Sequence, residues 1–361
     1  MAYTNIDDPS AHFQTATWSG NASTQSITND GNSDLKPDWA WTKDRGIGYG
    51  HKLMDSSRGI GSSGKFLITN STAAESSIDD YIMTFNTDGF SVGAGDAGFN
   101  ASNDTYVTWQ WKANGGTTAT NNDGSLTSTV QANTDAGFSI VTYAGASSTN
   151  TIGHGLGVAP KLMIVRARNK GVPTSWVVFH KDGSTSDDDY YILQSTAAKG
   201  TQAGLWNNQY PSSTVFGVAN DFWVSQSGVD YIAYCFAEKQ GYSKFGKYVG
   251  NGSSNGTFVY TGFAPAFVML KDTSQATNWE MFDVKRNPFN VRNLKLGANL
   301  AVAENGSDLG NTNQNNIDIL SNGFKMRTGN TDTNVSGDTY IYMAFAENPF
   351  VTSTGIPAVA R

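Results

Sequence analysis

The chain has 361 residues, enough for two or three domains of about 100–150 residues, with charged residues at 15%, aromatics at 12% and a formal net charge of −7. Its 39 glycines and its abundance of Ser, Thr and Asn exclude a helical protein, and the plentiful aromatics and small net charge exclude a disordered one. A lone cysteine, Cys235, excludes intramolecular disulfides and cysteine zinc sites, and the lack of a Lys/Arg cluster argues against nucleic acid as a partner.

In chain order, residues 1–17 carry Asp7 and Asp8 and have neither a basic start nor an apolar run, so no secretory signal is expected. Nor does any stretch of about 18 apolar residues follow that could insert in a membrane. The first predicted strand is Phe13-Gln-Thr-Ala-Thr-Trp-Ser-Gly20. Asn29-Asp-Gly-Asn-Ser-Asp34 has calcium-like oxygen donors but lacks the bidentate Glu, and reads as a turn. Lys36-Pro-Asp-Trp-Ala-Trp-Thr-Lys43 reads as a strand opened by Pro, where no ladder hydrogen bond is lost, and closed by a cation. His51-Lys-Leu-Met-Asp55, Leu67-Ile-Thr-Asn-Ser-Thr-Ala-Ala-Glu75, the acidic pair Asp79-Asp80 and an Asp88-Gly-Phe90 turn come next. The aromatic strand Asp104-Thr-Tyr-Val-Thr-Trp-Gln-Trp-Lys-Ala113 puts Val107, Trp109 and Trp111 on one face and Tyr106, Thr108 and Gln110 on the other.

The same alphabet then starts again. A Gly/Thr/Asn-rich segment, 114–136, is expected to be an extended or flexible linker. Phe138-Ser-Ile-Val-Thr-Tyr-Ala-Gly145 repeats the start. Gly153-His-Gly-Leu-Gly157 reads as a tight turn, because Gly admits positive φ and no phosphate-loop Lys-Ser/Thr follows. Ala159-Pro-Lys-Leu-Met-Ile-Val-Arg166 is the second Pro-led strand, followed by Ser175-Trp-Val-Val-Phe-His180. Asp187-Asp-Asp189 could hold calcium, or serve glycoside hydrolysis if two carboxylates faced each other; the competing reading is a solvated face. Ile192-Leu-Gln-Ser-Thr-Ala-Ala-Lys199 and Val229-Asp-Tyr-Ile-Ala-Tyr-Cys-Phe-Ala-Glu238 echo the first copy. Seven strands are predicted in this middle copy, at 140–143, 162–166, 176–180, 190–193, 215–218, 223–225 and 231–236. A third copy comprises Phe245-Gly-Lys-Tyr-Val-Gly250, Ala264-Pro-Ala-Phe-Val-Met-Leu-Lys271, Asn278-Trp-Glu-Met-Phe-Asp283, Asn322-Gly-Phe324 and Asp338-Thr-Tyr-Ile-Tyr-Met-Ala-Phe-Ala-Glu347.

The expected fold is all-β: three tandem homologous antiparallel β-sandwich (jelly-roll-like) domains at 1–113, 137–240 and 241–350, with the linker 114–136 and a C-terminal arm, 351–361. The apolar face of each closing strand (Ile341, Met343 and Phe345 in the last copy) is expected to be the core of its own sandwich. No catalytic residue, metal or cofactor is expected; no Gly-x-Ser-x-Gly elbow with a downstream Asp and His is present. The candidate contacts to a glycan or protein partner are Trp176 with His180, Trp279 with Asp283, and His154. An aromatic plane stacks on the apolar face of a sugar while a polar neighbour meets its hydroxyls. The competing reading is a core Trp whose neighbour satisfies a turn.

Several of these motifs resemble a known family. They are Asp8-Pro-Ser-Ala-His-Phe-Gln-Thr15, Trp109-Gln-Trp-Lys-Ala-Asn-Gly-Gly-Thr-Thr118 with Ser128-Thr-Val-Gln-Ala-Asn133, Gly153-His-Gly-Leu-Gly-Val-Ala-Pro-Lys161, and Tyr231-Ile-Ala-Tyr-Cys-Phe-Ala-Glu238 with Gly241-Tyr-Ser-Lys-Phe-Gly246. Together they look like the uncharacterised repeat-containing virion structural proteins of marine and cyanobacterial tailed bacteriophages, often labelled tail or tail-fibre proteins. The resemblance covers nearly the whole chain. It implies a virion location, other virion proteins as partners, and a homo-oligomer or multiple copies in the particle. The function expected is a non-enzymatic structural protein, a peripheral tail, spike or attachment component contacting host-surface glycans. The alternatives are a capsid decoration protein and a polysaccharide depolymerase. No coiled-coil or collagen-like shaft is written in the chain, so a short globular tip is expected rather than a long fibre.

Overall fold

β-Branched and aromatic runs broken by Gly, Asn and Ser favour pleated, half-buried backbone over helix. The computed structural model, which describes residues 3–61, 64–77, 81–94, 98–170, 174–304 and 316–357, is accordingly all-β. Among these residues the only helical elements are two 3-10 turns, Pro9–Ala11 and Lys181–Gly183. The first third holds β1 (Phe13–Ser19), β2 (Gln25–Ile27), β3 (Trp39–Asp44), β4 (Lys52–Asp55), β5 (Lys65–Ile68), β6 (Ser76–Ser77), β7 (Ile82–Phe85), β8 (Phe90–Val92) and β9 (Thr105–Trp111). β10 (Ala119–Asn121) and β11 (Ser128–Asn133) follow. The middle third holds β12 (Phe138–Ala144), β13 (Asn150–Gly153), β14 (Leu162–Ala167), β15 (Val177–His180), β16 (Asp189–Ile192), β17 (Gly200–Thr201), β18 (Val215–Val218) and β19 (Asp230–Phe236). The last third holds β20 (Ser243–Val249), β21 (Phe258–Tyr260), β22 (Phe263–Asp272), β23 (Glu280–Asp283), β24 (Leu296–Gly297), β25 (Ile317–Leu320), β26 (Gly323–Met326) and β27 (Thr339–Pro349).

Three large antiparallel sheets run β1-β9-β3-β4-β5-β6, β10-β11-β12-β19-β14-β15-β16-β17 and β20-β27-β22-β23-β24. Apart from β10 and β11, the order is the same in each: first strand, closing strand, then the Pro-led strand and its successors. Each third adds a small sheet, β2-β8-β7, β13-β18 or β21-β26-β25. Segment 114–136, expected to be extended or flexible, lies as two strands; all six residues of β11 pair with β12. Residues 223–225 form no strand but a turn closed by an Asp221–Ser225 bridge, while β13 and β17 have no counterpart in the prediction. Pro265 sits inside β22 at a register irregularity, where a missing N–H is tolerated.

Register corrects one alignment. Phe13 faces Trp111, Phe138 faces Phe236, and Ser243, not Phe245, faces Phe345. The third copy therefore starts two residues earlier than its Phe suggests. A glycine fixes this: the N–H groups of Gly20, Gly145 and Gly250 donate to Asp104, Val229 and Asp338 carbonyls at 2.8, 2.8 and 2.9 Å. At each a Cβ would run into facing backbone, so only Gly brings the two segments this close.

The core corrects another expectation. Val107, Trp109 and Trp111 do not line a private sandwich core; with Ile232, Tyr234, Phe236, Ile341, Met343 and Phe345 they belong to one apolar cluster drawn from all three thirds. The private cores lie on the opposite faces, under the small sheets, around Tyr106, Tyr231 and Tyr340. There Trp18, Tyr143 and Tyr248 stack on those tyrosines at centroid distances of 4.4, 5.3 and 5.1 Å. Both faces of each large sheet are thus covered, which is why β3 and β14 are buried at every residue. Where the three closing strands meet, Trp111, Phe236 and Phe345 pack edge-to-face in a triangle with centroids 5.5, 5.8 and 6.5 Å apart.

Candidate functional site

The Trp-x-x-x-Asp/His pattern opens the strand after the Pro-led one, and its Trp and its Asp or His point into a seam between thirds. Trp176 and Trp279 are buried. Trp176 Nε1 donates to Ile68 O at 2.9 Å, from the middle third to the first, and Trp279 Nε1 to Ile192 O at 3.1 Å, from the last to the middle. His51 holds the third such place. Its Nδ1 accepts from Trp41 Nε1 at 2.9 Å, and the Gly297 backbone of the last third lies on its other side, close enough to act on its charge but outside hydrogen-bond geometry. Burial pushes the His51 pKa well down.

The polar residue four places on closes the seam. At the first/middle seam, Asp55 Oδ1 accepts from the Arg58 N–H at 2.9 Å, and Oδ2 accepts from Arg58 Nε at 2.5 Å and Tyr234 Oη at 2.8 Å. Arg58 also donates to Leu53 O and to Glu75, and Glu75 receives Arg168 of the middle third at 3.1 and 3.2 Å. The last/first seam repeats this arrangement with Trp109 in the place of Tyr234. Asp283 accepts from the Arg286 N–H at 2.8 Å, from Arg286 Nε at 2.5 Å and from Trp109 Nε1 at 3.1 Å. Arg286 donates to Met281 O and Glu304, and Glu304 receives Arg45 at 3.2 and 2.8 Å. Burial alone would lower both arginine pKa values, but the facing carboxylates outweigh it and raise them.

At the middle/last seam His180 stands in place of the acid. Its Nδ1 accepts from the Gly183 N–H at 3.1 Å, which leaves the proton on Nε2 for Tyr342 O at 3.1 Å. Burial lowers its pKa to about 4, so the ring is neutral at pH 7. Glycine replaces the arginine: a Cβ on Gly183 would crowd Ile341 Cγ2 and stand 2.6 Å from Tyr191 Oη. Lys199, in the glutamate's place, turns back to Asp189 at 2.8 Å.

Two of the three cations that close the Pro-led strands also serve the seams, while Lys43 stays in its own third on the Asp44 and Ile47 carbonyls. Arg166 Nη2 donates to Ala73 O at 2.7 Å and Lys271 Nζ to Thr196 O at 3.1 Å, each reaching the preceding third. Burial brings Lys43 and Lys271 down to about 8 and Arg166 to about 10.

The remaining candidates are structural. His154 is buried in its glycine turn, where Gly155 and Gly157 both have φ of +72°; Leu156 N donates to its Nδ1 at 3.2 Å, and its Nε2 lies 3.2 Å from Ser212 O. Asp188 caps the Gly204 and Trp206 amides, and Asp189 accepts from Thr185, Ser186, Thr201 and Lys199, which leaves these carboxylates engaged. Asp79 and Asp80 lie outside the described residues. Among those residues no group of three or more His, Cys, Asp or Glu could hold a metal. A cleft of about 340 Å³ opens at the last/first seam, spanned at its rim by Asp30 and Lys285 at 2.5 Å. Its Gln14 amide is already committed to Ser10 O, Ser33 O and the Gly31 N–H.

Trp176, His180, Trp279, Asp283 and His154 therefore face the chain itself. Arg58, Arg286 and Glu304 were not singled out from the sequence, yet a signal was there: Leu296-Gly-Ala-Asn-Leu-Ala-Val-Ala-Glu304 is a third copy of Leu67 to Glu75.

In comparisons with known proteins, the profile of a family described as a domain of unknown function, DUF7483, matches residues 8–349. No curated protein matches, and no solved structure does.

Proposed function

The chain belongs to the DUF7483 family, a domain of unknown function, and we propose that it is a non-enzymatic structural protein of a bacteriophage particle. It is built of three tandem homologous β-sandwich (jelly-roll-like) units and sits at the periphery, as a tail, spike or attachment component. The observation that carries this reading is where the chemistry-bearing side chains go. Asp55, Asp283 and His180, with their arginine, tyrosine and tryptophan partners, are spent on locking sheets together. Such a body offers its outer strands and loops to partners. The resemblance of the chain's motifs to those of phage structural proteins supports the same reading.

The triangle of Trp111, Phe236 and Phe345 favours a second reading, a capsid decoration protein. One chain with near-threefold form fits a threefold site on a shell without needing three copies. Localisation tests both. A tagged chain in purified particles, imaged by electron cryo-microscopy, is expected at the tail end; density on the head would support decoration instead. Purified particles without the chain would remove both.

A further inference from the structure

One difference among the three small sheets lies on their first strands. Ile27, Ile152 and Val259 are equivalent: each is buried on the first strand of its small sheet, across from Phe90, Phe216 and Phe324. The residues flanking them are Ser26 and Thr28 in the first third, and Thr151 and Gly153 in the middle third, where Gly153 is buried against Asn121. In the last third they are Phe258 and Tyr260, 44% and 48% exposed on the edge strand β21. Exposed aromatics on an edge strand are what natural sheets avoid unless something covers them. Two cations accompany them. Lys325 pairs directly opposite Phe258, where Ser91 and Gly217 stand in the other thirds, and its Nζ donates to the exposed Asn255 Oδ1 at 2.6 Å. Lys244 Nζ lies 5.6 Å from the Tyr260 ring centroid, where Gln14 and Ser139 stand. The one acid across the ladder, Asp318, is engaged by Arg327 at 2.9 Å. Tyr3, 3.3 Å away oxygen to oxygen, holds the Tyr260 hydroxyl in place.

We propose that Phe258, Tyr260, Lys244 and Lys325 form a binding platform for an acidic polysaccharide, one whose sugar rings carry carboxylates. Residues two apart on a strand stand about 6.6 Å apart on the same face, so the two rings offer successive stacking planes to an extended saccharide. The Lys244 ammonium beside the Tyr260 ring, and the Lys325 ammonium on the strand facing Phe258, which trades its exposed Asn255 partner for the ligand, each meet a carboxylate, on a chain whose net charge is −7. A neutral glycan would use the rings but not the lysines. The platform rests on the peripheral, host-facing reading above, and its test in solution is separate from localisation in the particle.

The test is calorimetric titration of the full chain with hexagalacturonate and, as the neutral counterpart, maltohexaose. The chain is expected to bind hexagalacturonate more tightly than maltohexaose, and more weakly as salt is added. Phe258→Ser with Tyr260→Thr, the residues of the first third, is expected to weaken hexagalacturonate about tenfold at an unchanged thermal midpoint. Lys325→Ser, a surface change that leaves both rings in place, is expected to remove most of the preference for the acid. The proposal is overturned by no binding of hexagalacturonate, by equal binding of maltohexaose, or by variants that bind like the parent chain. It is also overturned if the aromatic double variant turns an oligomer into a monomer on sedimentation, which would assign the face to a second copy of this chain.

Discussion

At two seams of this molecule a buried acid, an arginine and a glutamate join neighbouring thirds; at the other, His180, Gly183 and Lys199 occupy the same three places. The packing around them is alike, with a tryptophan indole donating to a carbonyl of the preceding third at both Trp176 and Trp279. The difference teaches that the fold needs the seam satisfied, not charged. Buried ion pairs carry a large desolvation cost and hold only while every partner is present. A neutral imidazole with one donor and one acceptor does the same joining without it. The charged seams also cannot be swapped for the neutral one, because Gly183 leaves no room for an arginine. This mismatch fixes which third docks against which.

The largest expected effect comes from breaking a charged seam. Arg286→Met leaves Asp283 and Glu304 without their shared cation, and a loss of about 3–5 kcal/mol is expected from denaturant midpoints at constant m. A loss below 1 kcal/mol would put these charges in contact with solvent. The neutral seam is expected to break by crowding instead. Gly183→Ala forces Ile341 and Tyr191 apart, at about 1–3 kcal/mol, with no change in salt dependence.

Acid should load the neutral seam through His180, and the last/first seam through His51, whose pKa burial also pushes well down. The folded pKa of His180, about 4, lies below the unfolded value of 6.5. As pH falls below 6.5 the unfolded chain takes up the proton first, so stability present above pH 6.5 is lost progressively towards pH 4. About 2 kcal/mol should disappear between pH 7 and pH 5 on this account. His180→Asn should keep more of its pH 7 urea midpoint at pH 5 than the parent does; identical pH slopes would mean the imidazole is not held neutral. Smallest of all, Trp176→Phe and Trp279→Phe each remove one indole donor, and each should cost about 1 kcal/mol. Equal losses would confirm that this part of the joint is indifferent to charge, and a twofold difference would contradict it.

The sequence by itself determined the strand alphabet and its three statements. Tyr106, Tyr231 and Tyr340 were legible as equivalent, because the alternation of large and small residues on a closing strand is local. The glycine turn around His154 was legible for the same reason: positive φ is a property of one residue. Register in the third copy was not, since Phe245 imitates Phe13 while the constraint sits in Gly250. Nor was the fate of the candidate residues. Whether a Trp at a strand end meets solvent or a neighbouring sheet depends on what docks there, and that partner is about a hundred residues away in sequence. Only the tertiary structure could turn the apolar face of each closing strand from a private core into a shared one. Each large sheet has two apolar faces and the small sheet covers only one, so the other three faces bury one another.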